Sequence, residues 1–306
     1  MKDKMSPKTN TKRRMTLQKQ EALLGWLFIS PALIGFSIFT FGSMLYSLYL
    51  SFTDYNLMAK SNIVGLSNYT RAFKQDQYFY PYFGNTLFFV ITLVPIVLVF
   101  SLALALLINK KTGVMTKFYR VALFLPSITS TVAISMVWIW IFNPDMGILN
   151  NILYALGIQN PPMWLSDPKW SKPALVIMRV WQMGGYYMLM FLTGLKTIPE
   201  NLYEAANMDG ATPWQKLTKI TLPMLANTTF VVVIMLVIEA FNMFESIFIM
   251  TQGGPVGSTS TIMYYIYEQG FMNYNMGYAS ALAWIFFALI MIVTMIQYRF
   301  RNEQEG

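Results

Sequence analysis

Three ionisable side chains lie inside long apolar stretches of the sequence, where a charge indicates binding or catalysis. Arg179 lies in one of these stretches, and Glu239 and Glu245 lie in another. A charge at the centre of a bilayer costs at least about 2.5–3.5 kcal/mol. Each of the three is therefore a candidate for a functional site. The alternative for Arg179 and Glu245 is an interfacial ion pair or a snorkelling arginine.

The residue types present restrict the chemistry of this chain. It contains no Cys and no His, which excludes disulfides, Cys/His metal sites and catalysis by a thiolate or an imidazole. It also has no G-x-x-x-x-G-K-[ST] segment, the usual loop that binds the phosphates of ATP. We therefore expect no catalytic residue, no metal site and no cofactor in this chain, and energy supplied by another protein.

Polar residues accompany the three charges at helical spacing. Positions i, i+3 and i+7 lie on one side of a helix, so polar residues at that spacing form a stripe. Two such stripes on consecutive helices predict a shared wet surface, with a hydrogen bond between helices as the structural alternative. The stripes are Glu239, Asn242 and Ser246 on one helix, and Arg179, Gln182 and Tyr186 on the other.

The segment 198–223 predicts two short helices around a turn. Asp209-Gly210 is a turn signal that ends the first helix, and Thr212 with Gln215 fits a capping box at the start of the second. The Ala205-Ala206 pair gives the first helix a small apolar face that can press close to another protein. The alternative is a hairpin that only leads the chain into the next long helix.

The spacing within this segment resembles the EAA loop of ABC importer permeases. Glu204-Ala205-Ala206 is followed by Gly210 after three residues and by Ile220-x-Leu222-Pro223 after nine more. In that family the short helix docks into a cleft of a cytoplasmic ATPase and transmits its closure to the membrane spans. The resemblance implies ATPase-coupling roles for Glu204, Ala205, Ala206, Asp209, Gly210, Ala211 and Leu217.

The resemblance extends over residues 22–299 and is closest to the maltose-type and multiple-sugar permeases. The Thr-x-Gly-Gly-Pro segment favours the first of the two dissimilar permeases that such systems pair. Unlike the maltose permease, this chain shows neither extra N-terminal spans nor a large outer domain, as in the shorter multiple-sugar relatives. The segments that carry the resemblance are Val64–Tyr69, Asn85–Leu87, Leu125–Phe142, Gly147–Asn150, Phe241–Phe244, Thr251–Pro255 and Gly277–Ala281.

The resemblance implies a bacterial importer for a sugar, either an oligosaccharide or a glycoside. The chain would form the pathway beside a second six-span permease. Two copies of a separate ATPase would bind ATP-Mg, and an extracytoplasmic binding protein would deliver the substrate. Sugars need flat apolar faces as well as polar groups, so the predicted substrate pathway includes aromatic residues. It comprises Arg179, Trp181, Gln182, Tyr186, Tyr187, Glu239, Phe241, Asn242, Glu245 and Ser246.

Other classes of function stay open at this stage. A stand-alone channel or ion-coupled carrier could use Glu239 and Arg179, although it leaves the EAA segment unexplained. An importer of glycerol-phosphate or another non-sugar solute could use Arg179 to bind an anion. An intramembrane enzyme is the least favoured class, because the sequence has no evident pairing of a nucleophile with a base.

The long apolar stretches predict the elements that must position these residues. Only 12% of the 306 residues are charged, 55% are apolar, and the mean hydropathy is +0.45. About 20 apolar residues in a helix span a bilayer. We therefore predict an all-α, polytopic membrane protein with six transmembrane helices and a cytoplasmic coupling loop. The predicted spans cover residues 23–52, 83–109, 121–142, 174–195, 224–250 and 278–298.

The distribution of basic residues predicts the orientation. With the N-terminus inside, sixteen Lys and Arg residues fall in cytoplasmic segments and five in outer ones, as the positive-inside rule requires. Both termini are predicted to be cytoplasmic in a bacterial plasma membrane. This topology accounts for the net charge of +8 without a nucleic-acid partner. The expected domains are a basic tail (1–22), a permease domain (23–299) with the coupling loop (196–223), and a short tail (300–306).

Overall fold

The computed structural model describes residues 17–56, 61–109 and 113–305. Within these ranges the regular structure is helical, and the single β-interaction is an isolated bridge between Thr53 and Ile63. The prediction of an all-α protein is confirmed. Residues 1–16 of the predicted basic tail lie outside the described ranges. The last helix continues to Glu305 and so includes most of the predicted C-terminal tail.

Five helical segments in the described part of the chain are long and apolar enough to cross a membrane. We number them spans one, two, four, five and six. They are Leu24–Ser51, Phe79–Asn109, Pro168–Lys196, Ala226–Met250 and Met276–Arg299. Span one combines the helices Leu17–Gly35 and Ser43–Ser51 with a π-helical stretch at Phe36–Gly42. Span five is divided into the helices Ala226–Phe241 and Glu245–Met250.

Span three is not the continuous helix predicted over residues 121–142. It consists of Val114–Ile128 and Thr131–Ile141, which meet at an angle of 100°. Pro126 weakens the helix just before its end because it has no N–H to donate. The hydroxyls of Ser127 and Thr129 then donate to carbonyls of the preceding turn, Phe124 and Leu125, which helps to satisfy the backbone where the helix is interrupted.

Short helices occupy the loops between the spans. Three of them follow spans one, three and five, and the others form the loop between spans four and five. The first three are Ser67–Lys74, Ile148–Ala155 and Ile262–Tyr267, the last of which runs into a π-turn at Glu268–Met272. The others are Glu200–Met208, Pro213–Lys216, the π-turn Leu217–Thr221 and Leu222–Met224.

Span four is the centre of the hydrophobic core. It packs most extensively against spans two and three, and 67% of the residues in its most apolar stretch of 18 are buried. Its fully buried Met178, Met188 and Phe191 belong to the larger apolar cluster, together with Phe89 of span two. Span one is the opposite case, because none of the residues in its most apolar stretch of 18 is buried. The core that supports the candidate site is therefore built around span four.

Segments that resemble the permease family hold the ends of the spans together. The side-chain amide of Asn85 at the start of span two donates to the carbonyls of Gly257 and Ser260, at 3.0 and 2.8 Å. The amide of Asn68 donates to the carbonyls of Ser51 and Thr53, at 2.9 and 2.8 Å. These two buried asparagines therefore fix the loops that follow spans five and one.

A carboxylate joins the loop after span one to the last span. Asp76 accepts hydrogen bonds from the hydroxyls of Tyr265 and Tyr278, and the guanidinium of Arg71 lies 4.2 Å from the centre of the Tyr278 ring. Burial and the bond to Asp76 raise the pKa of Tyr265. Its hydroxyl therefore stays protonated and donates throughout the physiological pH range.

Two glycines bring span four close to its neighbours. A Cβ at Gly185 would overlap the backbone carbonyl of Leu123 in span three, and a Cβ at Gly184 would overlap the ring of Phe100 in span two. The helix itself runs unbroken through both positions. Of the two roles that a Gly-Gly pair suggests, a bend or a close approach, the structure has the close approach.

We expect Gly185→Ala to destabilise the protein by about 1–3 kcal/mol, the usual cost of overpacking a tight contact. The backbone of Leu123 cannot move aside as a side chain could. Gly84→Ala is the matched control, because no atom lies within 4 Å of a Cβ built at this helical glycine. Thermal unfolding in detergent should show a lower midpoint for Gly185→Ala alone. Equal midpoints for the two variants would contradict the close approach.

Candidate functional site

A partly buried network of charged and polar side chains joins spans three, four and five. Nη2 of Arg179 lies 2.8 Å from Oε1 of Glu239, and Nη1 donates to Oε1 of Gln182 at 2.7 Å. The Gln182 amide donates to the hydroxyl of Thr131 at 3.1 Å. The Tyr187 hydroxyl donates to Oε2 of Glu239 at 2.9 Å. Arg179 is therefore paired with Glu239, and not with Glu245 as the alternative from the sequence had it.

The two partners of the ion pair differ in their exposure. The side chain of Arg179 is 10% exposed, whereas that of Glu239 is 42% exposed. Nε of Arg179 is buried and forms no hydrogen bond within the described part of the chain. The guanidinium therefore lies behind the carboxylate, and a molecule entering the site meets Glu239 first.

Two cavities meet at this network. The Glu245 cavity has a volume of about 340 Å³ and the Tyr186 cavity about 310 Å³, and both are lined by Thr131, Arg179 and Glu239. The Glu245 cavity is also lined by Asn242, Met243, Phe244, Glu245, Ser246 and Met263. The Tyr186 cavity is also lined by Ser127, Thr129, Gln182, Met183, Tyr186, Tyr187 and Met235.

The break in span five places polar residues in the Glu245 cavity. The helix ends at Phe241, and Asn242 donates its side-chain amide to the carbonyl of Ile238 at 2.8 Å. A new helix begins at Glu245. Glu239, Asn242 and Ser246 therefore line one cavity as the stripe predicted, although the single continuous helix assumed for that stripe is interrupted.

Eight of the ten predicted pathway residues line one or both cavities. Trp181 and Phe241 do not. Trp181 packs against Trp138 of span three, with ring centroids 5.7 Å apart. Phe241 is buried against Phe286 of span six, at 5.9 Å. These two aromatic residues therefore contribute to packing around the site and not to the walls of either cavity.

Sequence reasoning missed the contribution of span three. Ser127, Thr129 and Thr131 line the cavities and lie at the break between its two helices. The run Ser127-Ile-Thr-Ser-Thr131 inside an apolar stretch was a usable signal, because hydroxyl residues accompany interrupted helices in membranes. Met235, Met243 and Met263 carry no such signal, since methionine is common throughout this chain.

The segment between spans four and five forms a braced helical hairpin. Helix Glu200–Met208 is capped at its end by Asp209. The next residue, Gly210, has φ +74°, a backbone conformation that favours glycine. The predicted capping box between Thr212 and Gln215 is present in both directions. The hydroxyls of Tyr203 and Thr221 lie 2.9 Å apart, and Lys216 donates to Asn207. These contacts hold the two short helices in a fixed relation.

The hairpin presents its predicted coupling residues at the surface. Glu204, Ala205, Asp209 and Gly210 are exposed, and Ala206, Ala211 and Leu217 are half-buried. Two large apolar side chains beside them are mostly exposed, Met208 at 89% and Trp214 at 71%. An exposed apolar surface of this kind is typical of a contact site for another protein.

Polar cavities among membrane spans, together with a braced hairpin at the surface, are typical of membrane transport proteins. A family model described as the inner membrane component of binding-protein-dependent transport systems matches residues 85–303. The chain therefore belongs to this family of ABC importer permeases. It is a transport subunit and not an enzyme. Among the described residues no His, Cys, Asp or Glu cluster could hold a metal ion.

Individual relatives agree with the family assignment. The probable ABC transporter permease protein YesP of Bacillus subtilis (strain 168) is 37% identical over 284 residues, 92% of this chain and 91% of YesP. The lactose transport system permease protein LacF of Rhizobium radiobacter is 32% identical over 300 residues, 96% and 99% of the two chains. A chain of a bacterial ABC transporter that imports the acidic polysaccharide alginate shares the fold. Its TM-score is 0.84 at 23% identity, and the match covers 94% of this chain and 97% of that one.

We expect Glu239→Ala to destabilise the protein by about 3 kcal/mol, the lower end of the range for breaking a buried ion pair. The cost arises because Arg179 keeps a buried charge without its partner, and partial exposure of Glu239 moderates it. Replacing both residues, as in Arg179→Met with Glu239→Leu, should restore much of the loss. Glu245→Ala is the control, because Glu245 is exposed and has no ion pair with described residues. Thermal unfolding of these three variants beside the unaltered protein in detergent checks this, and a double variant no more stable than Glu239→Ala would contradict it.

Proposed function

We propose that this permease transports a sugar, either an oligosaccharide or a glycoside, through the pathway where spans three, four and five meet. The observation that carries the proposal is the mixed wall of the two cavities. Glu239 and Asn242 offer polar groups for hydroxyls and the exposed ring of Tyr186 offers an aromatic face, whereas Gln182 and Tyr187 are buried behind them. The near full-length similarity to a lactose permease supports the same class of cargo.

The cavity residues take complementary roles in this proposal. Glu239 and Asn242 accept hydrogen bonds from cargo hydroxyls, and Arg179 holds Glu239 in position from behind. Glu245 and Ser246 extend the polar wall along span five. The chain performs no covalent chemistry, and cargo moves because the spans alternate between open states driven by ATP in another subunit.

We also propose the assembly in which the chain works. It pairs with a second six-span permease, two copies of a cytoplasmic ATPase bind ATP-Mg, and an extracytoplasmic binding protein delivers the sugar. Both termini are cytoplasmic, because the excess of Lys and Arg lies on that side. With this orientation in the bacterial plasma membrane, helix Glu200–Met208 lies in the cytoplasm, on the same side as the ATPase.

The hairpin is the proposed site of contact with the ATPase. Its helix Glu200–Met208 carries small residues on one face and the exposed Met208 at its end. Hydrogen bonds to the second short helix make the hairpin stiff enough to transmit a displacement to span five. Exposed apolar side chains without an intramolecular partner fit a cleft in another protein.

We expect Gly210→Asp to abolish transport and the attachment of the ATPase while leaving membrane insertion intact. The substitution strains the turn at φ +74° and adds a charge to the contact surface. Gly65→Asp is the matched control, because Gly65 also has positive φ (+58°) and open space around its Cβ position but lies in the segment after span one. Co-purification of the ATPase should be lost only in Gly210→Asp. Normal uptake in that variant would refute the coupling role.

We expect a gentle detergent pull-down of this chain from its own cells to recover a second six-span permease and a P-loop ATPase, identified by mass. Association through an extensive apolar surface survives mild detergent. Other membrane complexes in the same preparation serve as the control for extraction. A chain that emerges alone, with uptake that follows a proton gradient instead of ATP, would support a stand-alone carrier and overturn the proposed assembly.

A further inference from the structure

The charged side chains that line the two cavities are few and unbalanced. They are Arg179, Glu239 and Glu245. We propose that Glu239 and Glu245 make this chain's part of the pathway selective for uncharged, hydroxyl-rich cargo and unfavourable for anions. The inference rests on the proposed transport of a sugar and narrows it to neutral sugars.

The orientation of the ion pair is the first support. An arginine in a transport pathway suggests a receptor for a carboxylate, sulfonate or phosphate group. Here the guanidinium is in the wall, with Nη2 committed to Glu239 and Nη1 to Gln182. Both terminal nitrogens of Arg179 therefore already have an acceptor, and the Glu239 side chain is about four times as exposed as that of the arginine. The surface that meets cargo is therefore a carboxylate.

A second carboxylate without a matching cation is the next support. Glu245 is exposed and lines the same cavity as Glu239. Arg179 already neutralises Glu239, and no lysine or other arginine of the described chain lines either cavity. Glu245 therefore leaves the cavity walls with a net charge of one negative unit. Like charges repel strongly where protein and lipid limit the screening by water.

The neutral polar groups of the site favour the same cargo. Asn242 lines the Glu245 cavity and donates one of its two amide hydrogens to Ile238, which leaves its carbonyl oxygen available as an acceptor. Gln182 is held between Arg179 and Thr131. The available groups in the Glu245 cavity are thus mostly acceptors, which suit the donor hydroxyls of a sugar. The charged group of an anion offers only further acceptors, so the acceptors of the cavity would be left without hydrogen-bond donors.

The absence of cysteine from the sequence allows a direct test of the charge in the cavity. Asn242→Cys places one thiol in the Glu245 cavity of the full-length chain in its purified transporter. Its reaction rate is measured with two methanethiosulfonate ethyl reagents, one carrying a cationic trimethylammonium group and the other an anionic sulfonate. Gln159→Cys, at an exposed position in the loop after span three, gives the intrinsic ratio of the two rates.

We expect the ratio of the cationic to the anionic reagent's rate to be at least about tenfold higher at position 242 than at position 159. One nearby negative charge attracts the cationic reagent and repels the anionic one. Adding Glu245→Gln should bring the ratio most of the way back to that of Gln159→Cys. If Asn242→Cys fails to fold, Met263→Cys, which lines the same Glu245 cavity, gives the same comparison with the same companion change, Glu245→Gln.

The test has clear contrary outcomes. A rate ratio equal to the control, a preference for the anionic reagent, or a ratio unchanged by Glu245→Gln would each overturn the proposed selectivity. These results can be told apart from a failure of the proposed importer assembly, because the change in the rate ratio on adding Glu245→Gln reports the charge of this chain's own residue. Loss of the second permease and the ATPase from the pull-down would refute the assembly and leave the measured cavity charge as it stands.

Discussion

The ion pair between Arg179 and Glu239 is the interaction on which the site depends. It connects spans four and five across the point where two cavities meet, and hydrogen bonds extend it to Gln182, Thr131 and Tyr187. Each charge makes the other tolerable inside a bilayer, where either alone would be costly. Because the carboxylate is more exposed than the arginine, the pair also decides which charged group faces the two cavities.

Interrupted helices supply other polar residues that line the two cavities. Span three is broken between Ile128 and Thr131, and span five between Phe241 and Glu245. Irregular backbone is tolerated at membrane depth only where it is buried in protein or lines a wet cavity. Both breaks meet this condition, since hydroxyl and amide side chains there bind nearby carbonyls and also line the cavities. Polar lining and helix breaks are therefore two aspects of one arrangement.

The loops on the two sides of the spans differ in how far their side chains are covered by the rest of the chain. On one side, Asn68, Asn85 and Asp76 tie the loops to the spans through buried hydrogen bonds within the chain. On the other, the hairpin is braced internally but leaves Met208 and Trp214 uncovered. A rigid element with an uncovered apolar surface is typical of a contact site for another protein.

The sequence by itself determined the all-α membrane fold, five of the spans, the hairpin with its capping box and the importer family, because these follow from local hydropathy and motif spacing. Tertiary structure decided which charges pair. The sequence left an interfacial ion pair open for Arg179 and Glu245, yet the guanidinium reaches Glu239, because the relative height and rotation of two helices are set by their packing. Likewise only packing places Trp181 and Phe241 away from the cavities, because spacing along one helix does not specify which neighbour covers each face.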